Sequence, residues 1–485
     1  MALTGETMGS GEKFYITTAI PYVNARPHIG FAMEIIQTDA FARYRRLRGS
    51  DVRFLTGTDD NSLSNVQAAE AEGIPTQDLV DRNSQYFSGL KELLDISFDD
   101  FIRTSVDPRH LDGARKLWEA CDRNGDIYKK SYSGLYCISC EQFYSPAELE
   151  NGLCPEHGIP VDQIDEENYF FKLTDYAERL EKVISSDELR VIPKSRKNEV
   201  LSFIRMGLED FSISRSKSRG KGWGVPVPGD EDQVMYVWFD ALSNYINALG
   251  FADNGELYGD YWLDNPNRVH VIGKGIIRFH AVYWPAMLMS AGIPLPTTLF
   301  VHGYVTLEGE KLSKTKGIVI DPGELVEEFG VDAVRYYLLR RIHPTEDGNF
   351  SREHFIRTFN SDLADQLGNL LSRVIGMVDR YYEGSVPAPS GEDPADSTLK
   401  KMADGLLSSM DDAMERYAPN EALAAIWELI AEANRYVVEV KPWTLAKVRE
   451  QDESAEKRLS TALYNLVEVI RIVAVACSPF IPKSA

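Results

Sequence analysis

At 485 residues, with 44% hydrophobic and 26% charged side chains, the chain is too long for one hydrophobic core and reads as a globular protein of roughly three domains. A formal net charge of −22 opposes broad, sequence-independent binding to DNA, because an acidic surface repels phosphate over a Debye length of about 8 Å. No apolar run approaches the roughly 20 residues of a membrane span, and the N-terminus lacks a basic-then-apolar secretory pattern. The expectation is a cytoplasmic protein with no membrane partner.

Residues 1–13 are small and polar and read as a flexible leader with no role in the fold. "FYITTAI" then predicts a buried strand, and Ile29, Met33, Ile36, Ala40, Tyr44 and Leu47, at three- and four-residue steps, predict a helix over 29–47. "DVRFLTGTDD" predicts a second strand. Strand, helix and strand make a parallel βαβ unit whose ligand site lies at the carboxyl ends of the strands, where His28, Gly30 and Asp59 fall. On its own, "PHIG" fits a simple capped turn better than a ligand site.

Strand signals return at "QVMYVWFDAL", "RVHVIGKG" and "TLFVHGYVTL", with an apolar helix through "IIRFHAVYWPAMLMSAG". The expected fold is therefore α/β, a Rossmann-like parallel sheet split by an insertion and followed by an all-α helical bundle. Its divisions are a catalytic half at 14–115, a connective insertion at 116–231, a second half at 232–304, a loop and stem-contact region at 305–350, and helices over 351–485. "SVPAPSGEDPADS", between the first two helices of the bundle, reads as a mobile loop. Basic strips at Arg43–Arg48, Lys194–Lys197, Ser214–Gly224 and Arg340–Arg341 are ordinary solvated faces when taken singly. Together, on an acidic protein, they suit a polyanion bound in one orientation.

The insertion holds Cys137 and Cys140, then Cys154 and His157, in "YCISCEQFYSPAELENGLCPEHG". Two knuckles presenting two ligands each close a tetrahedral zinc site, and four protein ligands make the ion structural. A redox dithiol explains one CxxC and not both pairs, and a disulfide suits a different compartment. Cys121 and Cys477 lie in helical patterns and are read as buried thiols. Further on, "EKLSKTKG" puts Lys311, Lys314 and Lys316 on a Gly-flanked loop, a cationic arm suited to charge building on a departing phosphate.

His28 and Gly30 in "HIGF", with Lys311 to Thr315 in "KLSKT", resemble the two signatures of the class I aminoacyl-tRNA synthetases, and the order of parts resembles the methionyl-tRNA synthetase family from Phe14 into the final helices. The resemblance implies a ligase that uses ATP and Mg²⁺ to activate L-methionine and then charges tRNA(Met), with Zn²⁺ in the insertion. It implies catalytic roles for His28, Lys311 and Lys314, and ATP contacts from His28, Gly30, Phe31, Glu34, Lys311, Ser313 and Lys314. Gly30 would leave room for the adenine and Glu34 would reach the nucleotide sugar. Methionine would be held by Ala19, Ile20, Tyr22, Asp59, Trp238, Ala241, Tyr245, Ile276, Phe279 and His280, an apolar and aromatic set suited to a polarizable thioether, with Asp59 on the α-ammonium. Asn369, Arg373 and Trp443 would read the anticodon by stacking and base-edge hydrogen bonds. The absence of an appended dimerisation module leads to the expectation of a monomer.

Three departures cluster around the nucleotide. Phe31 replaces a second His, "GTDDNS" replaces the usual Gly-Thr-Asp-Glu-His-Gly, and Gly275 stands where an acidic residue often contacts the ribose. They leave open a paralogue that binds tRNA or methionine with weak activation.

Overall fold

The computed structural model describes residues 11–307, 310–311, 320–391 and 393–485. Strands β1 (Lys13–Thr18), β2 (Asp51–Thr58), β3 (Asp100–Arg103), β4 (Arg190–Ile192), β5 (Arg268–Gly273) and β6 (Thr298–His302) form, among the described residues, a six-stranded sheet in the order β3-β2-β1-β5-β6-β4. Every pairing in it is parallel. Both faces are covered, so β1 reads as an almost continuous buried run. The strand order reverses direction between β1 and β5, the point at which open α/β sheets bind their ligands.

Helix α1 (Ile29–Leu47) has the bounds its periodicity predicts, but it is not a one-faced surface helix: Ala32 through Ala42 are all buried. The sheet covers one side and the C-terminal helices cover the other. Inside this double packing Asp39 and Arg335, both fully buried, pair at 2.6 Å. Arg335 belongs to α3 (Val331–Arg340). Its remaining N–H groups donate to the carbonyls of Leu94, Asp95, Pro479 and Phe480. Asp39 also accepts from Arg43 and from the backbone N–H and hydroxyl of Ser97, and these cations hold its carboxyl below the usual range in spite of burial.

Several expectations need correction. Residues 11–13 are part of the fold: the Gly11 N–H donates to the Gly49 carbonyl at 2.9 Å, and Lys13 opens β1 with ion pairs to Asp51 and Asp260. The 116–231 span also contributes to the main sheet, where Arg190–Ile192 is the edge strand β4. Trp238 is not on a strand. A strand over Asp230–Met235 pairs antiparallel with Ser214–Ser216 and Pro226–Val227, and helix α2 (Val237–Leu242) carries Trp238. Asp240 fixes α2, bonding to His110 Nε2 at 2.5 Å and to Asn61 Nδ2 at 2.6 Å, which gives the unusual Asn61 a structural task.

The bundle contains α4 (Asn369–Tyr382), α5 (Asp396–Glu415), α6 (Pro419–Val440), α7 (Pro442–Val448) and α8 (Glu453–Cys477). Tyr44 of α1 and its C-cap Arg48 bond Asp411 of α5 at 2.5 and 3.0 Å. The loop before α5, expected to be mobile, is tied down where the Ser390 and Gly391 N–H groups donate to Thr461 Oγ1. Contrary to the hydropathy expectation, α8 is long and apolar enough to cross a membrane by length and composition, and 61% of its most apolar window is buried inside the protein. Cys121 and Cys477 are buried thiols, each pushed up to about 12 by burial.

Replacing Arg335 with Met leaves the Asp39 carboxylate buried without its main partner, a change that costs about 3–5 kcal/mol. Urea unfolding should show a midpoint lowered accordingly, with Arg335→Lys recovering only part because it lacks the planar fork.

Candidate active site and zinc centre

At the β1/β5 reversal lies a cavity of about 360 Å³. β1 runs out into Ala19, Ile20 and Tyr22, β5 into Gly273 and Gly275, and β6 into His302 and Tyr304, while α1 presents His28, Gly30, Phe31 and Glu34. His28 is the N-cap of α1, and its Nδ1 accepts from the Gly30 N–H at 3.0 Å. The bond satisfies an orphan helix donor. It also leaves Nε2 to carry the proton of the neutral ring. A Cβ on residue 30 would lie 2.8 Å from His28 Cε1, so glycine is required first by the His28 ring itself. Phe31 packs edge-on to Phe87 at 5.4 Å.

Glu34 is already committed. Its Oε1 accepts from the Ala19 N–H at 2.9 Å and its Oε2 from His302 Nε2 at 2.7 Å. It braces the ends of β1 and β6 across the strand reversal. Gly275 is bare for a different reason: a Cβ there would sit 2.1 Å from the Tyr304 hydroxyl.

The aromatic wall is a parallel stack of Trp238 on Phe279, with ring centroids 3.8 Å apart and planes at 6°. Tyr22 closes on Trp238 at 6.5 Å. The Tyr22 hydroxyl is buried without a hydrogen-bond partner among the described residues, a polar atom that a ligand can satisfy. Ile276 completes this wall. Ala241, Tyr245 and His280 are buried one layer behind it and do not line the cavity. There the Tyr245 hydroxyl meets His280 Nε2 at 2.8 Å, and His280 Nδ1 donates to the Ile276 carbonyl at 3.0 Å. Burial lowers His280 to about 4 and puts His270 well below its ordinary value. Asp59 is likewise behind the wall, its backbone paired beside Tyr22. Burial raises its carboxyl well above the usual range, and the Asp240 and Glu141 carboxylates add to the shift.

One side of the cavity is the insertion itself, through Ser139, Cys140, Gln142, Glu156 and His157. The ligand atoms of Cys137, Cys140, Cys154 and His157 all lie within 4.8 Å of one another. Cys140 and Cys154 are 3.8 Å apart, sulfur to sulfur, and Cys154 Sγ is 3.7 Å from His157 Nδ1. A tetrahedron with Zn–S of about 2.3 Å has an S···S edge of about 3.8 Å, so the donor set and these spacings fit a structural zinc ion. Glu141, next to Cys140, anchors the knuckle. Its carboxylate takes the Leu63 N–H, the Tyr136 hydroxyl and the fully buried Arg215, whose other nitrogen donates to the Asn61 carbonyl. Neither Glu141 nor Glu156 has a sequence signal beyond lying beside a zinc ligand.

Ser313 and Lys314 lie outside the described residues. Lys311 closes a short strand, Glu310–Lys311, whose backbone pairs with Val305–Leu307. On the bundle, Asn369 and Arg373 are exposed on one face of α4. Arg373 donates to the Asn369 carbonyl and to the Asn434 side chain of α6. Trp443, on α7, is 41% exposed.

The "tRNA synthetases class I (M)" family model matches residues 14–165 and 160–375, and the "Anticodon binding domain of methionyl tRNA ligase" model matches 386–485. Methionine–tRNA ligase of Brucella suis is 46% identical over 480 residues, covering 98% of this chain and 91% of the relative. That of Mycobacterium leprae is 48% identical over 479 residues, covering 97% and 88%. Among solved structures, Mycobacterium tuberculosis methionyl-tRNA synthetase in complex with methionyl-adenylate superposes with a TM-score of 0.93 at 46% identity, covering 98% of this chain and 92% of that one. Its free state superposes at 0.87 and 43% identity, covering 98% and 91%.

Two measurements check this geometry. Elemental analysis should find one zinc per chain, and Cys154→Ser should lose it. His280 is neutral when folded down to about pH 4 and titrates near 6.5 when unfolded. Between those values the unfolded chain binds the extra proton, so stability present above pH 6.5 is lost as pH falls toward 4, at up to about 1.4 kcal/mol per unit. His280→Gln should flatten that limb of the stability profile.

Proposed function

The chain belongs to the methionyl-tRNA synthetase family of class I ligases, activating L-methionine with ATP and transferring it to tRNA, and from that premise we propose how its own residues divide the work. The observation that carries the assignment is the cavity at the strand reversal, with an imidazole-capped helix N-terminus on one side and a stacked aromatic wall on the other.

Methionine enters with its thioether against Trp238, Phe279, Ile276 and Tyr22. Ala241, Tyr245 and His280 act from behind, holding the wall's shape. The α-ammonium pairs with Asp59 once Tyr22 turns aside, and the incoming cation returns that carboxyl to its ionised form. The methionine carboxylate attacks the α-phosphorus of ATP, and pyrophosphate leaves. His28, with Nδ1 held by the Gly30 N–H, offers Nε2–H to the phosphate oxygens, and Lys311, Ser313 and Lys314 add donors as charge moves to the leaving group. Mg²⁺, when bound, neutralises the departing pyrophosphate. In the second step a ribose hydroxyl of the terminal adenosine of tRNA(Met) attacks the activated carbonyl and AMP departs. Asn369, Arg373 and Trp443 read the unpaired anticodon bases. The zinc takes no part in either step and holds the knuckle in place. A monomer in the cytoplasm completes this reading.

Methionine-dependent ATP–pyrophosphate exchange tests it, with leucine and cysteine as controls. Exchange is expected with methionine alone, and His28→Ala should lower kcat by about 100- to 1000-fold with little change in the methionine KM. No exchange from folded, zinc-loaded protein would mean that the altered ATP subsite has lost activation and that the chain is a tRNA-binding paralogue.

A further inference from the structure

A second cavity, of about 210 Å³, flanks the zinc knuckle. Val66 of the helix Leu63–Glu72, Ile138 of the knuckle and Ile164 of the paired strand Asp162–Phe171 give it apolar surface, and Asp162, Arg219 and Lys221 give it polar groups. Ile138 lines this cavity and Ser139 lines the one at the strand reversal, so along the knuckle the two are one Cα step apart, about 3.8 Å. Arg219 is held in place by its neighbours. Its guanidinium lies over the Tyr136 ring at 4.2 Å, Nη1 donates to Glu166 at 3.0 Å, and Nη2 is buried without a hydrogen-bond partner among the described residues. An unmet guanidinium donor is costly, and an acceptor brought by a ligand relieves it.

Charge narrows what that ligand is. Arg219 is answered by Glu166 and Lys221 by Glu70, and Asp162 adds another carboxylate, so a phosphate finds little positive charge to spare. A wholly apolar group would leave Arg219 and Asp162 unused. A flat neutral group with an acceptor beside a donor on its edge fits both, the acceptor toward Arg219 and the donor toward Asp162. An unpaired nucleobase has that edge, and guanidinium planes are surfaces on which such bases rest. The volume is below the roughly 300 Å³ at which pockets for drug-sized ligands begin, and suits one base. The tRNA brings such a base next door, because it ends in C-C-A and a cytidine precedes the terminal adenosine. Resting on the reading above, in which that adenosine reaches the cavity at the strand reversal, we propose that the second cavity holds the base of the penultimate cytidine, with Arg219 and Asp162 on its edge. The insertion then acts in the transfer step and not in activation.

The test compares the full chain as wild type, Arg219→Met and Asp162→Ala. Activation is read by methionine-dependent pyrophosphate exchange without tRNA. Transfer is read in a single turnover from preformed adenylate to tRNA(Met) transcripts whose penultimate base is present or removed. In wild type, removing the base slows transfer about 10-fold or more. Each variant slows transfer to the intact tRNA and brings the ratio between the two tRNAs close to 1, while exchange, zinc content and Tm stay at wild-type values. Asp162 is exposed, so its variant decides the matter if Arg219→Met fails to fold. The proposal is overturned if wild type transfers equally well to both tRNAs, if Asp162→Ala keeps the wild-type ratio, or if its loss falls equally on exchange. Tight calorimetric binding of cytidine monophosphate by a wild type whose transfer ignores the base would make this a site for a free nucleotide, which also overturns it. A wild type without exchange would refute the activation reading, and equilibrium binding of the two tRNAs to wild type and variants would still decide the role of the second cavity.

Discussion

The buried charge pair between Asp39 and Arg335 is the constraint on which the rest of the structure depends. Taking two ions out of water costs several kcal/mol each, and the attraction between them offsets this only when every remaining donor and acceptor is also met. Here the guanidinium spends its other N–H groups on Leu94, Asp95, Pro479 and Phe480, and the carboxylate takes Arg43 and Ser97. One interaction therefore fixes α1, the chain before β3 and the end of the last helix in a single arrangement. Since His28 caps α1, its imidazole and the seating of the bundle share a brace. Sliding the bundle along α1 would uncover a charge in a low-dielectric interior.

A second constraint acts through the insertion. Arg215 and Glu141 form another fully buried pair at 2.8 Å, and Glu141 adopts a left-handed backbone with φ of 48°. A non-glycine residue keeps that conformation only where its surroundings over-determine it. The bonds to Leu63, Tyr136 and Arg215, with the Tyr236 hydroxyl on its carbonyl, do so. The zinc knuckle is thus clamped to the sheet's ligand-binding edge, and the insertion both supplies strand β4 and walls the cavity.

What the sequence made legible follows the reach of each signal. The bounds of α1, strands β1 and β2, and the four knuckle residues rest on local periodicity or fixed spacing, and both survive without tertiary information. β3 and β4 have four and three residues, too few for a period to register. "QVMYVWFDAL" is a short apolar run of the kind that periodicity assigns to strand or buried helix alike. Tertiary packing sends its first part into an antiparallel sheet and its second into α2. Within the site, Ala19, Ile20, Tyr22, His28, Gly30, Phe31, Glu34, Trp238, Ile276 and Phe279 line the cavity, whereas Asp59, Ala241, Tyr245 and His280 stand behind it. A motif identifies which residues gather and not which of them faces the ligand. Gly275 makes the same point, since it is bare to clear the Tyr304 side chain, which no short sequence window connects to it.

The basic strips show how charge read along a chain differs from charge offered to a partner. Arg43, Arg46 and Arg48 are bound to Asp39, Asp99 and Asp411, and Arg45 lies over the Phe14 ring. Lys197 pairs with Asp187, Arg219 with Glu166 and Lys221 with Glu70. Most of the apparent track is therefore neutralised within the protein, where it ties helices to strands. A protein of net charge −22 that must hold an RNA polyanion then gains little from releasing counterions, the term that dominates non-specific binding. Short-range contacts to unpaired bases, of the kind an exposed indole and an arginine bonded to Asn434 can make, do not depend on that term. Binding built in that way favours one RNA loop over the bulk of cellular polyanions and leaves the charged product free to depart.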